Sequence, residues 1–230
     1  MVSVYLTDIR QWKDEEIYHK WLANLPQDRR LRAESYKQVA DQRRSLAGSI
    51  LVCRAFAERY PDVDMSALRF VAGENGKPYI EQYPAFRFSI SHSGDYAVCV
   101  VSEQEVGIDI QKIQDIRLGV AERFFSEEEK AQIEAAVLDK EEELSETALA
   151  KREKMFFRIW SAKEAYVKLT GEGLKEFTSF TADLKTGHIH CHEVENAKRI
   201  YVKEYEVIQD YVMTVCAREQ KFGEVQTYTI

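Results

Sequence analysis

The sequence predicts a mixed α+β (α/β) protein of two similar subdomains, residues 1–105 and 106–230, related by a pseudo-two-fold with the functional site at their interface. Three observations predict it. In each half a long helical stretch comes first and strand patterns follow. The run Asp95-Tyr-Ala-Val-Cys-Val-Val-Ser-Glu resembles Asp210-Tyr-Val-Met-Thr-Val-Cys-Ala-Arg, 115 residues later in a chain of 230. A composition 45% hydrophobic and 11% aromatic is that of a packed chain, long enough to bury a core without disulfides. One continuous α+β domain is the alternative, because apolar strands look alike.

The elements follow in order. Met1 to Thr7 is a short alternating run; it lacks a basic stretch followed by an apolar one, so no secretory signal is expected. Residues 27–60 read as helical, with Leu46, Ser49, Ile50, Cys53, Phe56, Ala57 and Tyr60 on one stripe and Pro61 as the stop. Residues 66–104 carry strand and turn signals, including the turn dipeptide Asn75-Gly76. Phe86 to Ser91 alternates, while Tyr96 to Val101 and Val106 to Ile110 are short buried-strand runs. Ser126 followed by Glu129 is a capping box at a helix start. The charged interval 138–154 fits a loop or an exposed helix. Residues 155–170 form a helix closed by Gly171-Glu-Gly173. Strand patterns return at Phe177 to Leu184, His188 to Val194, Ile200 to Ile208 and Tyr211 to Ala217.

Charge narrows the function classes. The chain is net −7, a poor balance for a general nucleic-acid binder. Residues 29–44 nevertheless hold six basic residues (Arg29, Arg30, Arg32, Lys37, Arg43, Arg44) against two acids. Such a cluster suits a small polyanion such as a nucleotide, or is simply a solvated helix face. No apolar run approaches a membrane span. The cysteines 53, 99, 191 and 216 are scattered, and three sit in apolar runs. That usage predicts free thiols in a reducing compartment, hence a soluble cytoplasmic protein.

Four segments carry possible chemistry. In Trp160-Ser-Ala-Lys163-Glu164-Ala-Tyr-Val-Lys168, Trp160, Glu164 and Lys168 share a helix face and Lys163 lies about 100° round. A carboxylate flanked by lysines suits a cation meeting phosphate; alone it also reads as a surface ion pair. Asp109, in Val106-Gly-Ile-Asp-Ile-Gln111, is an acid inside an apolar strand, pointing opposite to Ile108 and Ile110. Phe88-Ser-Ile-Ser-His-Ser-Gly94 sets His92 among hydroxyls; without a G-x-S-x-G elbow a hydrolase is disfavoured. His188, His190 and His192 share a strand face but have no evident fourth zinc ligand, so a polar strand edge is the simpler reading.

Taken in order, Gly76-Lys-Pro78, Phe88 to Gly94, Val106 to Ile110, Arg123-Phe-Phe-Ser126, Trp160 to Ala165, Lys168 and Gly171-Glu-Gly-Leu174 resemble the surfactin-synthetase-activating (Sfp) type of 4′-phosphopantetheinyl transferase. The resemblance covers essentially the whole chain. It implies the 4′-phosphopantetheinyl transferase fold, here as a pseudo-dimeric monomer. It also implies an enzyme of the holo-[acyl-carrier-protein] synthase kind in its reaction. Such an enzyme moves the phosphopantetheine arm of coenzyme A to a serine of an acyl, peptidyl or aryl carrier protein, releasing adenosine 3′,5′-bisphosphate. Mg²⁺ is the implied cofactor and coenzyme A the co-substrate. The carrier pathway, fatty-acid or secondary-metabolite, stays open.

Residue by residue, Asp109 and Glu164 match the family's metal-binding acids, and Gln111 stands where many relatives carry another acid. Lys168 matches the lysine that reaches the pyrophosphate. His92, Ser91 and Lys77 match coenzyme A contacts, with Lys163 beside them, and Arg29, Arg32 and Arg44 fall near the 3′-phosphoadenosine end. Glu164 or metal-bound water is the implied base, with Glu129 a further candidate. The segment Ile113 to Phe125, with Arg117, Arg123, Phe124 and Phe125, is the expected carrier-docking patch. A non-catalytic coenzyme A or nucleotide-binding module and a purely structural protein are the rival readings.

Overall fold

Alternating apolar residues decide the layers. The computed structural model describes residues 1–10, 14–73, 75–115, 118–137, 145–173, 177–192 and 199–229. In chain order these form β1 (Val2–Asp8), α1 (Glu15–Ala23), α2 (Gln27–Glu34), α3 (Val39–Arg59), β2 (Phe70–Ala72), β3 (Pro78–Ile80), β4 (Arg87–Ser93), β5 (Tyr96–Ser102) and β6 (Val106–Lys112). There follow α4 (Leu118–Phe124), α5 (Glu127–Glu134), α6 (Glu146–Thr170), β7 (Phe180–Asp183), β8 (His188–Cys191), β9 (Tyr201–Tyr205), β10 (Tyr211–Ala217) and β11 (Phe222–Tyr228). One sheet has the order β11-β1-β5-β4, the other β6-β10-β9-β8-β7, and β2-β3 is a separate hairpin.

The repeated segment occupies matching places. β5 pairs antiparallel with β1 and β4, and β10 pairs antiparallel with β6 and β9. Each half therefore has the same order of strand (β1, β6), long helix (α3, α6) and strand paired on both sides (β5, β10). The two sheets share a core in which Val2, Val4, Val98 and Val100 meet Val106, Ile108, Ile110, Met213 and Val215. On the far side of the first sheet, α3 buries Leu46, Ile50 and Phe56 against Phe86, Phe88 and Cys99. On the far side of the second, α6 buries Ala162, Ala165 and Leu169 with Phe180 and Cys216. The result is α+β with two sheet-rich halves.

Four local differences from the sequence reading have physical causes. The helical stretch 27–60 breaks between α2 and α3, where the Ser35 hydroxyl donates back to the Arg32 carbonyl and competes with helix continuation. The interval left open at 138–154 is helical from Glu146 onward, because Ser145 caps it by accepting from the Ala148 N–H; residues 138–144 lie outside the described ones. α1 starts on Asp14, whose carboxylate accepts from Glu16 and Ile17. β11 pairs parallel with β1, so the 105/106 boundary parts the sheets but leaves the last strand with the first.

The halves are joined along a seam that later matters. β4 and β6 are edge strands of different sheets. Ser89, Ser91 and Ser93 accept hydrogen bonds from the N–H groups of Ile108, Ile110 and Lys112 at 3.3, 3.3 and 3.0 Å. The alternating serines thus satisfy an otherwise free strand edge and draw β6 against the first half.

Candidate active site

Ile108 and Ile110 enter the inter-sheet core, so Gly107, Asp109 and Gln111 face α6. Gly107 permits a very close approach: a Cβ there would stand 1.9 Å from the Ala165 carbonyl oxygen. The approach sets Asp109, only 1% exposed, beneath the α6 turns that carry Glu164 and Lys168. The Lys168 ammonium lies 2.6 Å from Asp109 Oδ1 and also donates to Ser91 Oγ at 2.9 Å. Ser91 donates to the same carboxylate oxygen at 2.7 Å, and the Gln111 amide donates to Oδ2 at 3.0 Å. The Glu164 carboxyl accepts no hydrogen bond among the described residues. Burial, and then the negative Asp109, push its pKa up to about 7, against the pull of Lys168.

Lys168 also belongs to the wall of a pocket of about 500 Å³. Arg29, Arg32 and His92 line it with Tyr36, Ser45 and Phe70. Arg29 donates to Ser49 Oγ and lies over the Phe70 ring, 5.4 Å from its centroid; burial holds its pKa below the usual range. Arg32 is exposed beside Tyr36. Burial, followed by the charges of Lys168 and Arg44, holds His92 below its usual range. That shift favours the neutral imidazole. Arg44 is not in the pocket wall; it donates to Asp41 and to the Gly94 carbonyl. Sequence reasoning missed Tyr36, Ser45 and Phe70, whose only local signal was an aromatic residue within the basic run for Tyr36.

Several expected residues have other tasks. Lys163 is fully buried, with both oxygens of Glu129 at 2.9 Å and the Phe180 carbonyl at 3.0 Å, so it is no cofactor contact. Glu129 is equally buried and also accepts from the Ser126 and Ala182 N–H groups, which removes it as a base. The Ser91 hydroxyl is committed to Asp109, Lys168 and Ile110 rather than to a ligand. Lys77 lines the pocket, but its ammonium is held by Glu105 and two carbonyls. Of the expected docking patch, Phe125 is core and Phe124 packs on Trp160 and Phe177; Arg123 is exposed over Phe124. Arg117 and Leu174 lie outside the described residues. His188, His190 and His192 face separate partners in Ile200, Asp183 and Thr181.

The donors suit a hard divalent cation. Asp109 and Glu164 present two neighbouring carboxylates, one buried and one half-buried without a hydrogen-bond partner among the described residues. Directly across the β6–β10 ladder from Asp109, the fully buried Thr214 hydroxyl has no partner among the described residues. Such an orphan is what an ordered water near an ion would satisfy. A half-turn of the Gln111 amide offers its oxygen to the same space. Mg²⁺ tolerates two carboxylates plus waters, so these residues fit it. Replacing Gln111 by Glu removes a donor from Asp109 and adds a like charge. The Mg²⁺ concentration giving half-maximal activity should then fall roughly tenfold. Equal titration curves for the two proteins would reject this role for position 111.

Comparison with known proteins matches residues 10–105 to the 4′-phosphopantetheinyl transferase N-terminal family and residues 105–216 to the 4′-phosphopantetheinyl transferase superfamily. The chain is 37% identical over 199 residues to 4′-phosphopantetheinyl transferase psf-1 of Bacillus pumilus, covering 86% of this chain and 80% of that one. It is 32% identical over 212 residues to 4′-phosphopantetheinyl transferase Sfp of Bacillus subtilis, covering 91% and 89%. Similarity extends to the human L-aminoadipate-semialdehyde dehydrogenase-phosphopantetheinyl transferase, at 29% identity over 171 residues, covering 70% and 53%.

Proposed function

This chain belongs to the 4′-phosphopantetheinyl transferase superfamily, and we propose that it moves the phosphopantetheine arm of coenzyme A to a carrier-protein serine where Lys168, Asp109 and Glu164 meet. One observation carries the placement: Lys168 stands both in the wall of the cationic pocket and 2.6 Å from Asp109. A module that merely held coenzyme A would need the pocket but not two converging acids. We extend the proposal to conversion of an apo acyl carrier protein to its holo form, one carrier class on which the same chemistry would act. We assign a monomer, because both halves of one chain build the site. A cytoplasmic location is supported by four free cysteines, and no helix among the described residues is long and apolar enough to cross a membrane.

Arg29 and Arg32 take the phosphates at the adenosine end, with the Tyr36 and Phe70 rings beside them for the base. His92 faces the diphosphate, whose negative charge favours a proton on its imidazole. Mg²⁺, held by Asp109 and Glu164 with Gln111 adjacent, would polarise the phosphoryl oxygens. Lys168 swings from Asp109 to the diphosphate as the charge of Asp109 becomes shared. Serine is a weak nucleophile and needs a base. Glu164 takes the hydroxyl proton as the serine oxygen bonds to the β-phosphorus. The bond to the bridging oxygen breaks, and adenosine 3′,5′-bisphosphate leaves with its electron pair.

Incubation with coenzyme A, Mg²⁺ and a panel of apo carriers tests the reading. A carrier mass gain of about 340 Da, the phosphopantetheine arm, is the expected result. Bound coenzyme A without any mass gain would leave only a binding module.

A further inference from the structure

We infer that Lys77 is a positioning residue, a clamp that fixes the strand bearing Asp109 against the helix bearing Glu164, and not a phosphate contact; this rests on the transferase reading above. An ammonium has three donors. Those of Lys77 reach Glu105 at 2.5 Å, the Val106 carbonyl at 3.2 Å and the Leu169 carbonyl at 2.8 Å. Val106 opens β6, and Leu169 lies in the last turn of α6. One nitrogen therefore ties together the two elements whose spacing sets Asp109 against Glu164 and Lys168. It comes from the other half of the molecule, on the turn before β3.

The surroundings hold the clamp in place. Glu105 is also ion-paired with Arg87 at 3.2 Å, so the counter-ion is itself anchored. The α6 helix ends at Gly171, with φ +80°, and a Cβ there would lie 3.6 Å from Lys77 Cβ, so the lysine stem runs along that turn. A positive charge at a helix C-terminus is favourable in its own right. A swing toward phosphate would leave two carbonyls and the Glu105 carboxylate short of a donor.

The two roles for Lys77 predict opposite results at Glu105, which does not line the ligand pocket. As a clamp, Lys77 needs Glu105. Glu105→Gln then lowers kcat and raises the Mg²⁺ requirement, with the KM for coenzyme A within about twofold of wild type. As a phosphate contact, Lys77 is restrained by Glu105, and the same change lowers that KM. Lys77→Met should lower kcat about tenfold at nearly constant KM, since small misplacements of reacting groups are costly. The double variant should be no worse than Lys77→Met alone. Thermal unfolding without coenzyme A or Mg²⁺ reads the clamp independently of activity, and both single variants should melt lower. Wild-type protein inert toward every carrier would count against the functional reading, while these melting shifts would still stand. Unchanged melting with a raised KM in Lys77→Met, or a lowered KM in Glu105→Gln, overturns the clamp.

Discussion

Glu164→Gln is expected to lower carrier modification by about three orders of magnitude, because it removes a metal-holding oxygen and the proton acceptor together. The fold should survive, since the carboxyl makes no hydrogen bond among the described residues and Gln keeps its volume. The pH dependence of stability then separates a lost reaction from lost structure. Burial and Asp109 raise the Glu164 pKa from its ordinary 4.5 to about 7 in the folded chain. Between those values the native state holds a proton that the unfolded chain has released. The native state therefore binds more protons, and stability falls as pH rises through this window. Removing the carboxylate removes that slope. The variant should melt with wild type near pH 5 and above it near pH 8. Mg²⁺ should raise the wild-type melting point at pH 8 and do little for the variant, because metal and proton compete for the same oxygens. A fully active Glu164→Gln protein would reject the role.

Asp109 stood out as an acid inside an apolar strand and Glu164 as a carboxylate flanked by lysines, but that the two meet was implied only by the family resemblance; the structure brings them close enough for the charge of Asp109 to act on Glu164. The repeat was legible because central strands are buried on both faces, and β5 and β10 keep the same register of apolar residues. The fate of each lysine was not. Lys163 and Lys168 flank one glutamate, yet one is sealed in the core and the other lines the pocket. The difference is the presence of Glu129, 34 residues away, whose capping-box carboxylate turns inward to meet Lys163. Only the packing of α5 on α6 reveals that partner. Ser91 looked like an anion contact because a hydroxyl beside His92 suggests one. Its real partners are Asp109 and Ile110 on β6, brought within reach by the serine seam, and Lys168 on α6. β11 escaped because an edge strand buries few side chains and leaves no apolar alternation to read.

Gly107→Ala is expected to be the most damaging single change outside the reacting groups. Backbone entropy alone argues for a small stabilisation, since Ala restricts the unfolded chain. Sterics argue the other way and are larger. The added methyl would stand 1.9 Å from the Ala165 carbonyl oxygen and 2.5 Å from the Leu169 nitrogen. These are backbone atoms in the last two turns of α6, with no side-chain rotation available for relief. The helix must lift from β6, which costs about 1–3 kcal/mol in a packed core. The lift acts where it does most harm: it parts Lys168 from Asp109 and pulls Leu169 off the Lys77 clamp.

 The separation of Leu169 from Lys77 and of Lys168 from Asp109 should together lower kcat by about a hundredfold, the scale on which ångström misplacements act. Denaturant unfolding and the carrier assay, run side by side, decide between the two effects. A Gly107→Ala protein as stable and as active as wild type would mean that β6 and α6 do not need this approach, and the positioning of the acid pair would require another explanation.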